Sequence, residues 1–182
     1  MNRRLTASLC MTVLGIVSLG VWAQSEMSDE EQAAAFFEEV NAAPYTEWAF
    51  EPGVPEGFYV GQEPHGMILQ SYINDVTVEA VGSGAEAFPE GSIIVKENHM
   101  PGDVDVTAMT LQDAVEEFDG ELAALTYMVK MPGYNPAAGD WFWAKQQPDG
   151  TIDAAGKPAG CIGCHSQVAD NDYVFNASLS GE

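Results

Sequence analysis

The sequence predicts an α+β fold in which a strand-rich sheet is attended by a few helices. Runs of β-branched and aromatic residues bounded by Pro and Gly recur at 92–97, 122–131 and 141–146. Only one segment, near the start, carries a long helical period. No internal repeat or long linker divides the 182 residues.

That first helix opens at Ser28, where the Ser28/Glu31 pair fits a capping box and Ala33, Phe36, Phe37 and Val40 recur at helical spacing. Pro44 stops it. Gly53, Pro55, Gly57, Gly61 and Pro64 make the next stretch irregular. Residues 67–73 then read as a strand, and Asn74 caps a short helix through Val81 that ends at Gly82 and Gly84. The strand at 92–97 follows Pro89-Glu90-Gly91, and two more, at 122–131 and 141–146, flank a Pro/Gly loop. Asp149-Gly150 is a turn. Tyr127, Tyr134, Trp141, Phe142 and Trp143 crowd this sheet, most of them as core and some as candidate walls of a ligand site.

After the sheet comes Cys161-Ile162-Gly163-Cys164-His165, the attachment sequence of a c-type haem. Two cysteines three apart on one helical turn reach the two haem vinyl groups, and the next residue brings an imidazole beneath the iron. The segment is therefore expected to be a C-terminal haem-attachment helix, with Cys161 and Cys164 binding the covalent haem c and His165 ligating the metal. A thioredoxin-type redox pair would sit early in a βαβ pattern, and a zinc site would need further clustered Cys or His. The sequence offers neither context.

Only 17 residues follow His165 and none is Met, unlike the common small cytochromes that take a late methionine as sixth ligand. Upstream candidates are Met67, Met100, Met109, Met128, His65 and His99. Each has a structural reading that outweighs ligation, so a five-coordinate iron with an open position is expected. Helical-bundle cytochromes also carry a late CxxCH, but they need four long amphipathic helices. The β-branched runs here contradict that pattern.

Residues 1–23 read as a secretory signal: Arg3 and Arg4, then an apolar run, then Val21-Trp22-Ala23 as the cleavage site. The alternative is a lone membrane anchor, for which the apolar run is short and interrupted by Ser and Thr. Cys10 leaves with the signal, so the mature chain keeps only Cys161 and Cys164. Residues 24–182 then form one periplasmic domain with enough chain to bury roughly 70% of its extended surface. Loss of Arg3 and Arg4 leaves four basic residues against 28 acidic ones, a formal charge of about -24. Such a surface repels nucleic acid and anionic membranes and suits a basic electron-transfer partner, although solubility alone accounts for it equally well.

Taken in order, several segments resemble the cytochrome P-460 family: His65-Gly66, Tyr72-Ile73-Asn74-Asp75, Phe88-Pro89-Glu90-Gly91-Ser92-Ile93-Ile94-Val95-Lys96-Glu97, Met128-Val129-Lys130, Asp140-Trp141-Phe142, Cys161 to His165 and Asp172-Tyr173-Val174-Phe175. The resemblance implies a mainly antiparallel sheet with flanking helices, paired as a homodimer. It implies too that Lys96, in the F-x-x-G-x-x-x-x-K-E strand, bonds covalently to a haem meso carbon, with Lys130 as the reserve candidate. Read from the residues alone, Lys96 is a strand-surface lysine beside Glu97.

The activity implied by the resemblance is oxidation of hydroxylamine at open iron, with nitric oxide as co-reactant or product, nitrous oxide as an end product, and a small cytochrome as electron acceptor. Active relatives use a distal carboxylate shortly before the haem motif, whereas this chain has Gly156 to Gly160 there, with Asp149 and Asp153 as the nearest acids. The catalytic base is accordingly unknown. The alternative is a gas-binding relative of the cytochrome c-prime-beta type, which captures nitric oxide or carbon monoxide in a pocket walled by phenylalanines.

Overall fold

A computed structural model describes residues 27–61, 65, 68–100 and 120–180; residues 1–23, expected to be a secretory signal, and Met67 and Met109 lie outside the described residues. Helix α1 (Asp29–Ala42) opens on the expected capping box. The Ser28 hydroxyl accepts from Glu31 N–H at 3.2 Å, and Ser28 N–H donates to the Glu31 carboxylate at 2.8 Å. Acidic Asp29, Glu30 and Glu31 sit at the positive end of the helix, where their charge is favourable. Ala33, Phe36 and Val40 form its buried stripe.

The strands are β1 (Ala49–Phe50), β2 (Tyr59–Val60), β3 (Ile68–Ile73), β4 (Ile93–His99), β5 (Leu122–Lys130), β6 (Trp141–Gln146) and β7 (Ile152–Gly156). They form one sheet in the order β1-β3-β4-β5-β6-β7, with β2 also paired to β3, and every pairing is antiparallel. The α+β expectation and its mainly antiparallel sheet therefore hold. Strand β4 extends past the predicted 92–97 because His99 still finds partners on both sides, Ile68 and Leu122. Strand β7 escaped prediction: Ile152-Asp153-Ala154-Ala155-Gly156 holds a single β-branched residue and becomes a strand only through its pairing with β6. Strands β1 and β2 are two-residue pairings inside the stretch read as irregular.

Alternation of side chains divides the sheet into two packed faces. Tyr72, Val95, Tyr127, Phe142 and Ala144 meet Phe36 and Val40 of α1 on one side. Ile73, Ile94, Met128, Trp141 and Trp143 meet the C-terminal segment through Val174, Ala177 and Leu179 on the other. Register aligns Ser71, Lys96, Thr126 and Lys145 across four adjacent strands, so these polar residues share one face. Helix α3 (Ala159–His165) and the 3-10 turn Ser166–Asn171 complete the chain's order after β7.

Between β3 and β4, Asn74 joins helix α2 (Asp75–Ala80) to the sheet. Its carbonyl oxygen accepts from Thr77 N–H and Ile93 N–H, both at 3.1 Å, and its amide donates to Gly91 O at 2.8 Å. Asn74→Ala is expected to lower stability by about 2 kcal/mol, since it strips a helix cap and a strand anchor together. Asn74→Asp keeps the acceptor and should lose less, a difference read from the urea unfolding midpoints of the two variants.

Candidate haem site

Helix α3 follows Pro158, which has no N–H to satisfy, and its last turn carries Cys161, Cys164 and His165, of which Cys161 and His165 face strands β4 to β6. Both cysteines are free and half-buried. His165 is 7% exposed, and its Nδ1 lies 2.7 Å from Tyr173 O. A carbonyl only accepts, so Nδ1 carries the proton and Nε2 keeps its lone pair. Burial lowers the His165 pKa and nearby Lys96 adds to this, while the bond to Tyr173 opposes it. The imidazole is thereby kept in the neutral form that binds metals.

A cleft with about 380 Å³ of empty space, including its open mouth, lies beside α3. Ile94, Met128, Trp143 and Ala144 supply its apolar wall, and Cys161, His165, Lys96, His65 and Thr126 its reactive and polar groups. Lys96 reaches it from β4, a surface-strand reading being excluded because the side chain is only 15% exposed. Its Nζ stands 3.7 Å from the buried Glu51 carboxylate. Burial opposes the ammonium charge, but Glu51 and Tyr59 outweigh it and the Lys96 pKa is raised. Glu51 in turn accepts from Ser71 Oγ at 2.6 Å and from Asn176 Nδ2 at 3.2 Å. Glu97, next in sequence, points to the other face and accepts from Tyr45 at 2.7 Å.

These residues fit a haem. An imidazole with a free Nε2, two unpaired thiols within one helical turn and an apolar wall are the donor set such a group requires. Trp143 Nε1, on that wall, is buried without a partner, as expected of a donor placed for something the chain itself does not provide. Neither alternative for the cysteines gains support. Burial raises the Cys161 pKa, the reverse of a redox-active thiol, and no group of three or more His, Cys, Asp or Glu converges among the described residues.

Lys96, Cys161 and His165 thus meet at one cleft, with Cys164 on the same helical turn. Of the other residues considered, His65 and Met128 line the cleft. The His65 ring is 6.1 Å from that of His165, and its Nδ1 is 3.4 Å from Thr126 Oγ1. Burial first, then Lys96 and His165, push the His65 pKa down to about 4. His99 packs on Phe58 and faces Glu97, and Met100 is exposed. Lys130, the reserve lysine, is committed to Asp172. Asp149 binds Thr151 N–H and Asp153 lies near Lys145 and Gln147, so neither acid lines the cleft. Sequence reasoning missed Glu51, whose Glu-Pro-Gly surroundings carry no signal, and the Tyr173 carbonyl, because a backbone acceptor leaves no mark on residue type.

The sequence model of the cytochrome P460 family matches residues 26–176. No curated protein matches the chain.

Removing Lys96 strands Glu51 as a buried carboxylate without its cation. Lys96→Met is expected to lower stability by about 3 kcal/mol, and adding Glu51→Gln should restore at least half of the loss. Urea unfolding of the two single variants and the double variant measures the coupling.

Proposed function

The chain belongs to the cytochrome P460 family, a family of haem cytochromes, and from that premise we propose that it is an exported haem c protein that oxidises hydroxylamine. The observation that carries the reading is the meeting of Lys96, from β4, with His165 and Cys161, from α3, at one cleft. In this reading Cys161 and Cys164 form the two thioether bonds, His165 Nε2 holds the iron, and Lys96 Nζ bonds to the haem edge. Bound haem would supply an iron that takes the hydroxylamine nitrogen and passes electrons on.

The chain's own residues prepare the space around that chemistry. Ile94, Met128 and Trp143 give the cleft an apolar wall, which lowers the local polarity and strengthens polar contacts made against it. His65 is held neutral and, with Thr126, offers hydrogen bonds to a small protic molecule. Hydroxylamine is uncharged and is not repelled by a chain of net charge -22. The same acidity favours a basic acceptor, such as a small cytochrome, for the departing electrons. Export through the signal at 1–23 to the periplasm and pairing as a homodimer belong to the same reading.

A second reading, capture of nitric oxide or carbon monoxide without turnover, is favoured by one observation: no carboxylate lines the cleft among the described residues. Against it, the described residues that line the cleft include no phenylalanine, the residue expected to wall a gas pocket of the cytochrome c-prime-beta type.

The test compares wild type with Lys96→Ala. Intact mass and the pyridine-treated spectrum after denaturation should show haem on both proteins, with an altered chromophore in wild type and an ordinary haem c spectrum in the variant. Hydroxylamine with an electron acceptor should then give acceptor reduction in wild type. Identical denatured spectra would remove the lysine link, and normal nitric oxide binding without acceptor reduction would replace the enzyme by the gas binder.

A further inference from the structure

Phe88, Lys130, Trp141 and Asp172, from four of the segments that resemble the family, do not line the cleft, yet they converge at one buried aspartate. Phe88 N–H donates to Asp172 Oδ2 at 2.8 Å, and Lys130 Nζ donates to Asp172 Oδ1 and Oδ2 at 2.7 and 2.6 Å. Trp141 Nε1 donates to the Asp172 backbone carbonyl at 2.7 Å. Lys130 also donates to Gly139 O and stands over the Trp141 ring, 5.0 Å from its centre. Asp172 and Lys130 are 7% and 6% exposed. A buried ion pair sacrifices hydration on both partners and is weak evidence of a role in stability alone.

What this cluster holds is the turn that serves His165. Asp172 and Tyr173 both lie in the left-handed region, at φ +51° and +67°, consecutive non-glycine residues in a conformation that side chains disfavour. The peptide groups around them are pinned. Trp141 fixes Asp172 O, Tyr173 N–H donates to Val168 O at 3.0 Å, and Val174 N–H donates to Asn171 O at 3.1 Å. Between these anchors the Tyr173 carbonyl is aimed at His165 Nδ1. Gly139 gives the cluster its closeness, since a Cβ there would lie 2.7 Å from Asp172 Oδ1.

We infer that Asp172 and Lys130 are positioning residues for the proximal ligand: their buried pair, with Trp141, holds the strained turn whose Tyr173 carbonyl takes the His165 Nδ1 proton. The inference rests on His165 ligating the iron. An imidazole that donates from Nδ1 to a fixed acceptor is held in one plane, and its Nε2 is the stronger donor to a metal. With the clamp removed, the turn relaxes out of the left-handed region, the carbonyl rotates away and the Nε2 donor weakens.

The test is made on the haem-loaded protein, by resonance Raman of the reduced form and by redox titration. Asp172→Asn and Lys130→Met should lower the iron–His165 stretching frequency and raise the reduction potential, with Trp141→Phe shifting both in the same direction by less. Acceptor reduction by hydroxylamine should fall by about tenfold or more in the first two. Ser28→Ala, which weakens α1 on the opposite face of the sheet, should lower stability and leave the band and the potential where they are. If Asp172→Asn and Lys130→Met fail to fold, Trp141→Phe decides. An unmoved band in the folded variants, or an equal shift in Ser28→Ala, would falsify the positioning role while leaving ligation by His165 intact. A wild-type protein whose reduced haem is five-coordinate and high-spin yet shows no iron–histidine band would overturn the ligation and this inference together.

Discussion

Among the described residues the C-terminal segment forms no strand, and the buried contact between Asp172 and Lys130 is the ion pair that ties it to the sheet. The pair links the 3-10 turn after α3 to the end of β5, and through Phe88 and Trp141 to the entry of β4 and the start of β6. Charge alone does not explain its effect. Asp172 receives donors from three directions while its backbone adopts a disfavoured conformation, so the turn has one arrangement that satisfies every group and few that come close. Beyond that anchor, Asn171 bonds the backbone of Val174, Ala177 and Leu179, which pack on the apolar face with Trp141 and Met128.

The sheet separates stability from chemistry by side-chain alternation. Its α1 face is mainly apolar, with Phe36 stacked on Tyr127 at 5.9 Å and the Tyr127 hydroxyl donating to Ala33 O at 2.7 Å. The opposite face changes character along its width, from Trp141 and Met128 through the cleft to the polar row of Ser71, Lys96 and Thr126. A lysine on a central strand is tolerable there because the Glu51 carboxylate, at the end of β1 and itself held by Ser71 of β3, meets it. The acid and the base compensate each other in a place where either alone would resist burial. The large acidic excess of the surface is independent of this balance and acts on partners at a distance.

Haem chemistry is legible in this sequence because it imposes spacing on neighbours. Covalent attachment, as proposed, would require Cys161, Cys164 and His165 to share one helical turn, and that requirement is written as five consecutive residues. The capping box at Ser28, the Asn74 cap and the three long strands are legible for the same reason: each is decided by residues within one or two turns or along one run. Strand β7 was not, since its residues have little strand preference and β6 supplies the pairing.

Lys96 marks the boundary between the two kinds of information. Local composition makes it an exposed strand residue next to Glu97, and only resemblance to a family suggested otherwise. Alternation sends Lys96 and Glu97 to opposite faces, and the fold covers one of them with a cleft and the other with Tyr45. Glu51 became its partner across a sheet pairing, and Tyr173 became the acceptor for His165 through a turn held by Lys130. The sequence by itself determined the helix caps, the long strands and the haem-attachment motif, because those depend on neighbours along the chain. The surroundings of Lys96 and His165 were decided only by tertiary structure, because burial, ion pairing and the direction of a carbonyl depend on segments that meet only once the sheet has formed.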